Sequence, residues 1–269
     1  MRPRRVEAQD PELEPFTDLT TSGSGSKVVI EGELAVSRAL AGGWPVEVVV
    51  TTPSRREAMG FRIPATVQWL ELDADALKAV TGFEFHRGVL AAGRRPLPRV
   101  APPPDVMRAL ASRPRPTMVL AENLADPSNL GALVRNAAAL GASVVVASAR
   151  GADPFSRRAI RASAGHVLDH PVIVTPDPLA TVAAFVESVP GLRTFAATLS
   201  RDATPLAQLR WDGPSMLMFG NEGQGLSSSL TAAAHEQVRI EMDPGVDSLN
   251  VAAASAVMLW AHRVVASRS

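Results

Sequence analysis

Three stretches bring together residue types that can hold a polar ligand and act on it. ENLADPSNLGALVRNAAALGAS (122–143) carries Asn129 and Arg135. GNEGQGLS (220–227) carries Asn221 and Glu222 among Gly220, Gly223 and Gly225, and RIEMDPGVDSLNVAAASAVMLW (239–260) carries Ser248 and Asn250. Amides and hydroxyls orient a substrate, an arginine meets an anion, and glycine lets a ligand lie against bare backbone. Each stretch also has a plainer use as turn, helix cap or solvated surface. The glycine order G-x-x-G-x-G is not the dinucleotide fingerprint G-x-G-x-x-G, and no acidic residue follows after a suitable strand, which disfavours a nicotinamide cofactor.

The elements around these residues decide which use applies. In the first stretch Asn129 or Ser128 can cap a helix that runs to about Leu140, with Gly141 just past its end. Leu130, Leu133, Ala137 and Leu140 form its apolar stripe, and Arg135 points about 200° away from them, towards an anion or simply towards water. Gly131 within that helix costs about 1 kcal/mol against alanine, which a close approach by another group would justify. The second stretch follows SMLMF, which reads as a buried strand. In the third, RIEM reads as a short strand, DPG as a turn, and Asp247 or Ser248 as the cap of a C-terminal helix whose alanines and serines permit tight packing.

TMVLAE, SVVVAS, PVIVT, RTFAAT and SMLMFG are apolar runs without alternation, separated by Ala-rich segments of helical length. That pattern predicts strands buried on both faces in a parallel sheet covered by helices, with ligands at the carboxyl ends of the strands. Upstream, KVVIEG, VEVVVTT and VQWLELDADALKAVTG predict a smaller α/β module, and the five prolines of RRPLPRVAPPPD (94–105) predict a stiff linker. The expected division is 1–99, with 1–26 flexible around the Gly/Ser run TTSGSGS, then 100–114 as linker and lead-in helix, then 115–269.

Lys plus Arg equals Asp plus Glu at 27 each, so no global positive field is available and any nucleic-acid contact must be local. Arg150, Arg157, Arg158 and Arg161 form one such group; Arg87, Arg94, Arg95 and Arg99 form another. The chain has no cysteine, which removes thiolate nucleophiles, thiolate metal sites and base methylation through a cysteine, and fits a cytoplasmic setting. The longest apolar run, VAAASAVMLWA, falls short of the roughly 20 residues of a membrane span.

N-x5-N-x-G-x3-R-x-A from Asn123 to Ala137, F-G-N-E-G-x-G-L-S at 219–227 and I-x-M-x3-V-D-S-L-N-V-A at 240–252 resemble the three motifs of the SpoU (TrmH-type) RNA ribose methyltransferases, in order. The resemblance covers about 115–266 and includes RRAIRASAGHVLDHPV. Glu241 and Pro244 stand where that family carries proline and glycine. The first module resembles the small ribosomal-protein-like substrate-binding domain of many members. The resemblance implies an α/β fold with a trefoil-knotted parallel-sheet C-terminal domain and a homodimer packed through it. It implies methyl transfer from S-adenosylmethionine to a ribose 2′-hydroxyl without a metal. Gly220, Asn221, Gly223, Gly225, Ile240, Met242 and Leu249 would hold the cofactor, and Arg135, Asn129, Glu222, Ser248 and Asn250 would serve the reaction. Ribosomal RNA is the expected substrate, bound through Arg87, Arg94, Arg95, Arg157, Arg158 and Arg161; transfer RNA, or a non-catalytic RNA-binding relative, are the alternatives.

Overall fold

The computed structural model describes residues 2–19, 26–60, 62–84 and 88–266. The chain forms two compact units, 1–96 with 155–169, and 97–154 with 170–269. In the first unit the elements are β1 (Arg4–Arg5), β2 (Lys27–Glu31), α1 (Glu33–Ala41), β3 (Val46–Thr51), α2 (Pro53–Ala58), β4 (Gln68–Glu71), α3 (Ala74–Thr81) and β5 (Val89–Arg94). The sheet runs β1-β4-β3-β5-β2, with β5 antiparallel to both neighbours. Expected flexibility before residue 26 does not extend to 2–19. A 3-10 turn at Pro11–Phe16 buries Leu13 and Phe16 against Val48, Leu70 and Leu90, so apolar burial fixes a segment that composition alone reads as a tail. Most of the Gly/Ser run lies outside the described residues.

The second unit contains α4 (Pro104–Ala111), β6 (Thr117–Ala121), α5 (Pro127–Leu140) and β7 (Val144–Ser148). The chain then visits the first unit with α6 (Arg157–Ala162) and α7 (His166–Asp169). It returns through β8 (Val172–Thr175), α8 (Pro178–Ser188), β9 (Arg193–Ala197), β10 (Thr204–Pro205), β11 (Ser215–Phe219), α9 (Ser228–Ala233), β12 (Glu236–Arg239) and α10 (Val251–Ala266). The segment 155–169, expected with the second domain, thus packs in the first unit. All seven strands are parallel, in the order β10-β12-β9-β11-β6-β7-β8. Every residue of β6, β7 and β11 is buried, which is why these strands read as unbroken apolar runs. Phe219 pairs with Ala121, so the loops that follow β11 and β6 leave the sheet side by side. The strand expected at RIEM is β12, which ends at Arg239, so residues 240–242 lie beyond it.

α10 packs along α5: Asn136 Nδ2 donates to Ala252 O at 2.7 Å and to Ser255 Oγ at 3.1 Å. The Ala/Ser face of α10 is therefore spent inside the unit, while Val257 and Trp260 are exposed, Trp260 at 59%. Among the described residues no helix is long and apolar enough to cross a membrane.

His262 of α10 is 4% exposed, with Nδ1 3.2 Å from Thr117 Oγ1 and its ring edge-on to Trp211. Burial, with Arg115 adding positive potential, lowers its pKa to about 4. The unfolded chain binds a proton near the ordinary histidine value that the folded chain refuses, so stability falls as pH drops from about 6.5 towards 4. Urea unfolding at pH 7 and pH 5 checks this: the loss at pH 5 should shrink in His262→Phe.

Candidate functional site

The loop between β6 and α5 is shaped by Asn123, Asp126 and Pro127. Asn123 holds a left-handed φ of +52°, a conformation asparagine tolerates better than most side chains. Asp126 caps α5 by accepting from Ser128 N at 2.8 Å, and Pro127 takes the first helical position. The expected cap, Asn129 or Ser128, is corrected accordingly: Asp126 meets that need, and the Asn129 amide is released for other bonds. Gly141 closes the helix at φ +86°, and Arg135 lies exposed on it as the stripe required.

The loop after β11 is a tight hairpin. Asn221 and Gly225 exchange backbone bonds of 3.0 and 2.8 Å, and Asn221 Oδ1 accepts from Gly223 N and Gln224 N. A Cβ at Gly220 would collide with the backbone of Gly225 and Leu226, so only glycine fits there. Bonds at both ends of the hairpin tie it to the β6 loop. Asn221 Nδ2 donates to Asn123 O at 2.8 Å, and buried Glu122 accepts from Ser227 N at 2.7 Å.

Glu222 joins the loops. Its carboxylate accepts from Ala125 N at 2.9 Å, Asp126 N at 3.4 Å and Asn129 Nδ2 at 2.9 Å. Asn129 Oδ1 in turn accepts from Asn250 Nδ2 at 2.9 Å. Partial burial resists ionisation of Glu222, but the bonds from Ala125, Asn129 and neighbouring amides outweigh it and hold its pKa below the usual glutamate value. Asn250 Oδ1 accepts from Ala252 N and Ala253 N, so Asn250 caps α10 in place of the expected Asp247 or Ser248. The helix begins at Val251, one residue after that cap. Where the motif departs at Glu241 and Pro244, the backbone makes a turn from Asp243 to Val246, with Val246 N donating to Asp243 O and Gly245 at φ +93°. Proline then glycine at the two central positions suits a type II turn, with Gly245 as its left-handed residue.

These loops surround a cleft of about 620 Å³, within the range of small-molecule sites. Gly220, Asn221, Gly223, Gly225, Ile240, Met242 and Leu249 line it, as do Asn129, Glu222, Ser248 and Asn250. Sequence reasoning missed Thr198, Leu199 and Ser200 beyond β9 and Ala254 and Met258 of α10 on the same walls. The first three follow a strand's carboxyl end, a position that parallel sheets use for ligands and that could have flagged them. Arg135 does not line the cleft. Six residues on from Asn129 it is turned by about 240°, or a third of a turn short of alignment, and lies about 9 Å further along the axis. Of the arginines assigned to RNA, Arg157 and Arg161 pair with buried Glu31, and Arg157 also donates to Leu19 O and stacks over Phe83. Arg94 pairs with Glu47 at 3.2 Å, Arg158 is exposed on α6, Arg95 is half-buried, and Arg87 lies outside the described residues.

Residues 116–260 match the SpoU rRNA Methylase family. The chain is 34% identical over 263 residues to an uncharacterised tRNA/rRNA methyltransferase of Mycobacterium bovis, covering 93% of this chain and 88% of that protein. A Synechocystis protein of the same description is 36% identical over 144 residues, covering 53% of this chain and 51% of its own length. The fold is similar to an AdoMet-bound rRNA methyltransferase from Sinorhizobium meliloti, with TM-score 0.76, 24% identity and 97% of each chain covered. It is also similar to the SpoU methyltransferase AviRb from Streptomyces viridochromogenes, with TM-score 0.79, 23% identity, and 96% of this chain and 99% of that one covered.

The bonds at Glu222 predict a carboxyl that stays ionised below the usual glutamate titration, and loops that loosen as pH falls through that lowered value. Glu222→Gln should speed hydrogen exchange at Ala125 and Asp126 about tenfold at neutral pH, checked by exchange mass spectrometry.

Proposed function

We propose, for a chain that belongs to the SpoU rRNA methylase family and is an S-adenosylmethionine-dependent RNA 2′-O-methyltransferase, that its substrate is ribosomal RNA and that it works as a homodimer. The observation that carries the site assignment is the Asn250–Asn129–Glu222 hydrogen-bonded chain, which fastens three loops around one backbone-lined cleft. The α/β unit that precedes the methyltransferase domain, and the Sinorhizobium protein of the same extent described as an rRNA methyltransferase, support the RNA class.

The cleft suits the cofactor on its own evidence. Its volume matches a ligand of that size, its hairpin excludes even a methyl group at Gly220, and Ile240, Met242 and Leu249 offer apolar surface for a base and a thioether. When bound, S-adenosylmethionine supplies a methyl group already activated on a positive sulfur. The residues of the chain have two remaining tasks, to place the ribose oxygen in line and to manage its proton. Asn129, Ser248 and Asn250 would orient the ribose, with Glu222 fixing the Asn129 amide so that its rotamer is set before RNA arrives. A guanidinium is a poor base, so Arg135 is read as the clamp of the adjoining phosphate and the stabiliser of the oxygen as charge develops on it.

Arg135 sits beside Asn136, which bonds α10 at Ala252 and Ser255, while the far side of α10 exposes Val257 and Trp260. A large exposed tryptophan one turn from exposed Val257 favours a partner surface. A second copy seated there would bury this stripe, and exposed Arg135 is carried by α5, the helix packed along α10, which supports a site completed across the dimer. The return of residues 240–250 past the ends of β9 and β11 to set α10 on α5 supports the threading expected from the resemblance.

Arg135→Ala should lower methyl transfer by at least two orders of magnitude while leaving S-adenosylhomocysteine affinity within about twofold; equal loss of both would make Arg135 structural. Trp260→Glu should yield a monomer in analytical ultracentrifugation. Mapping ribose methylation in cells lacking the chain should show one ribosomal site unmodified, whereas a missing mark on transfer RNA would reassign the substrate.

A further inference from the structure

The arginines of 150–161 separate into two kinds. Arg157 and Arg161 spend their charge on buried Glu31. Arg150 is exposed and makes no ion pair among the described residues. Its backbone, by contrast, is held at several points. Arg150 N donates to Ser148 Oγ at 3.3 Å, and that hydroxyl, in a residue only 3% exposed, donates to Asn123 Oδ1 at 2.7 Å. Ala152 N donates to Leu124 O at 2.6 Å, and a Cβ on Gly151 would stand 2.9 Å from the same oxygen. Asn123 O also accepts from Asn221. The segment bearing Arg150 is therefore clipped to the loop whose amides hold Glu222.

Resting on the functional reading above, we propose that Arg150 grips an RNA backbone phosphate close to the methylated ribose, and that the Asn123–Ser148 clip is the positioning device that puts it there. β7, which leads into Arg150, is separated from β11 by β6 alone. Two strand spacings are about 10 Å, so a rooted arginine at the end of β7 reaches the flank of an RNA strand whose sugar lies over the cleft. A fixed backbone beneath a solvated side chain suits this task. The guanidinium is exposed, offers a two-pronged fork to phosphate, and has no competing carboxylate to leave among the described residues. Arg157 and Arg161 would first have to abandon a buried glutamate, at a cost that unpaired burial makes steep.

The test measures methyl transfer from tritiated S-adenosylmethionine to protein-free total RNA from cells lacking the chain, over a range of salt, with S-adenosylhomocysteine affinity by calorimetry as control. Arg150→Ala should raise the RNA KM about tenfold and flatten the salt slope by about 0.7, the share of one phosphate contact on single-stranded RNA. S-adenosylhomocysteine affinity should not change. Arg150→Lys should fall between, keeping charge without the fork. Ser148→Ala should move the RNA KM the same way by a smaller factor, with Ser148→Thr restoring it. An Arg150→Ala chain with the wild-type KM and salt slope overturns the assignment, as does a parallel loss of S-adenosylhomocysteine binding. A wild-type chain that labels no RNA at all overturns the functional reading, and the assignment falls with it.

Discussion

The carboxylate of Glu222 is where three loops, distant in sequence, become a single surface. It accepts from two backbone amides at the entry to α5 and from the Asn129 side chain, which passes the connection to Asn250. No one of these bonds is worth more than about 1–3 kcal/mol. They share acceptors and donors, however, so each limits the freedom of the next. Asn250 is also the cap of α10. A carboxylate on one loop thereby helps to set where the last helix of the chain begins. Removing the charge would leave Asn129 held by Asn250 alone and the first turn of α10 less anchored.

This arrangement depends on a sheet that delivers the loops to the same edge. A parallel sheet places the carboxyl ends of its strands on one side, and the register of β11 on β6 sets Phe219 opposite Ala121. The hairpin after Phe219 can then touch the loop after Ala121 without a long reach. Gly220 permits the closure, because its α-hydrogen faces the Gly225 backbone where any side chain would collide. Buried Glu122, accepting from Ser227 N, and the Asn123 backbone carbonyl, accepting from Asn221 Nδ2, secure the two loops to each other. The cleft wall formed by the hairpin is consequently glycine-rich, and the side chains of Asn221 and Glu222 serve there as ties.

Much of this was legible before the structure. Continuous apolar runs marked the parallel strands because strands buried on both faces need no alternation, and the spacing of Leu130, Leu133 and Ala137 placed Arg135 on the open side of α5. Cap residues were misassigned for a physical reason. Asp126, Ser128, Asn129, Asp247, Ser248 and Asn250 can all cap a helix; the Asn129 side chain is engaged by Glu222 and Asn250 while Asp126 accepts from Ser128 N, and Asn250 accepts from Ala252 N and Ala253 N, choices that local sequence does not rank. The pairing of Arg157 and Arg161 with Glu31 was equally hidden, since it joins residues about 130 apart and draws 155–169 into the other unit. The walls at Thr198–Ser200 carried no motif; only their place after β9 distinguishes them.

Binding of S-adenosylhomocysteine, followed calorimetrically for the wild-type chain and for Gly220→Ala, tests the central claim most directly. The account predicts saturable binding by the wild type and its loss in Gly220→Ala, with the α/β circular dichroism signal unchanged. Equal binding by the two chains, or no binding by a folded wild type, would contradict a cleft closed by bare backbone at Gly220.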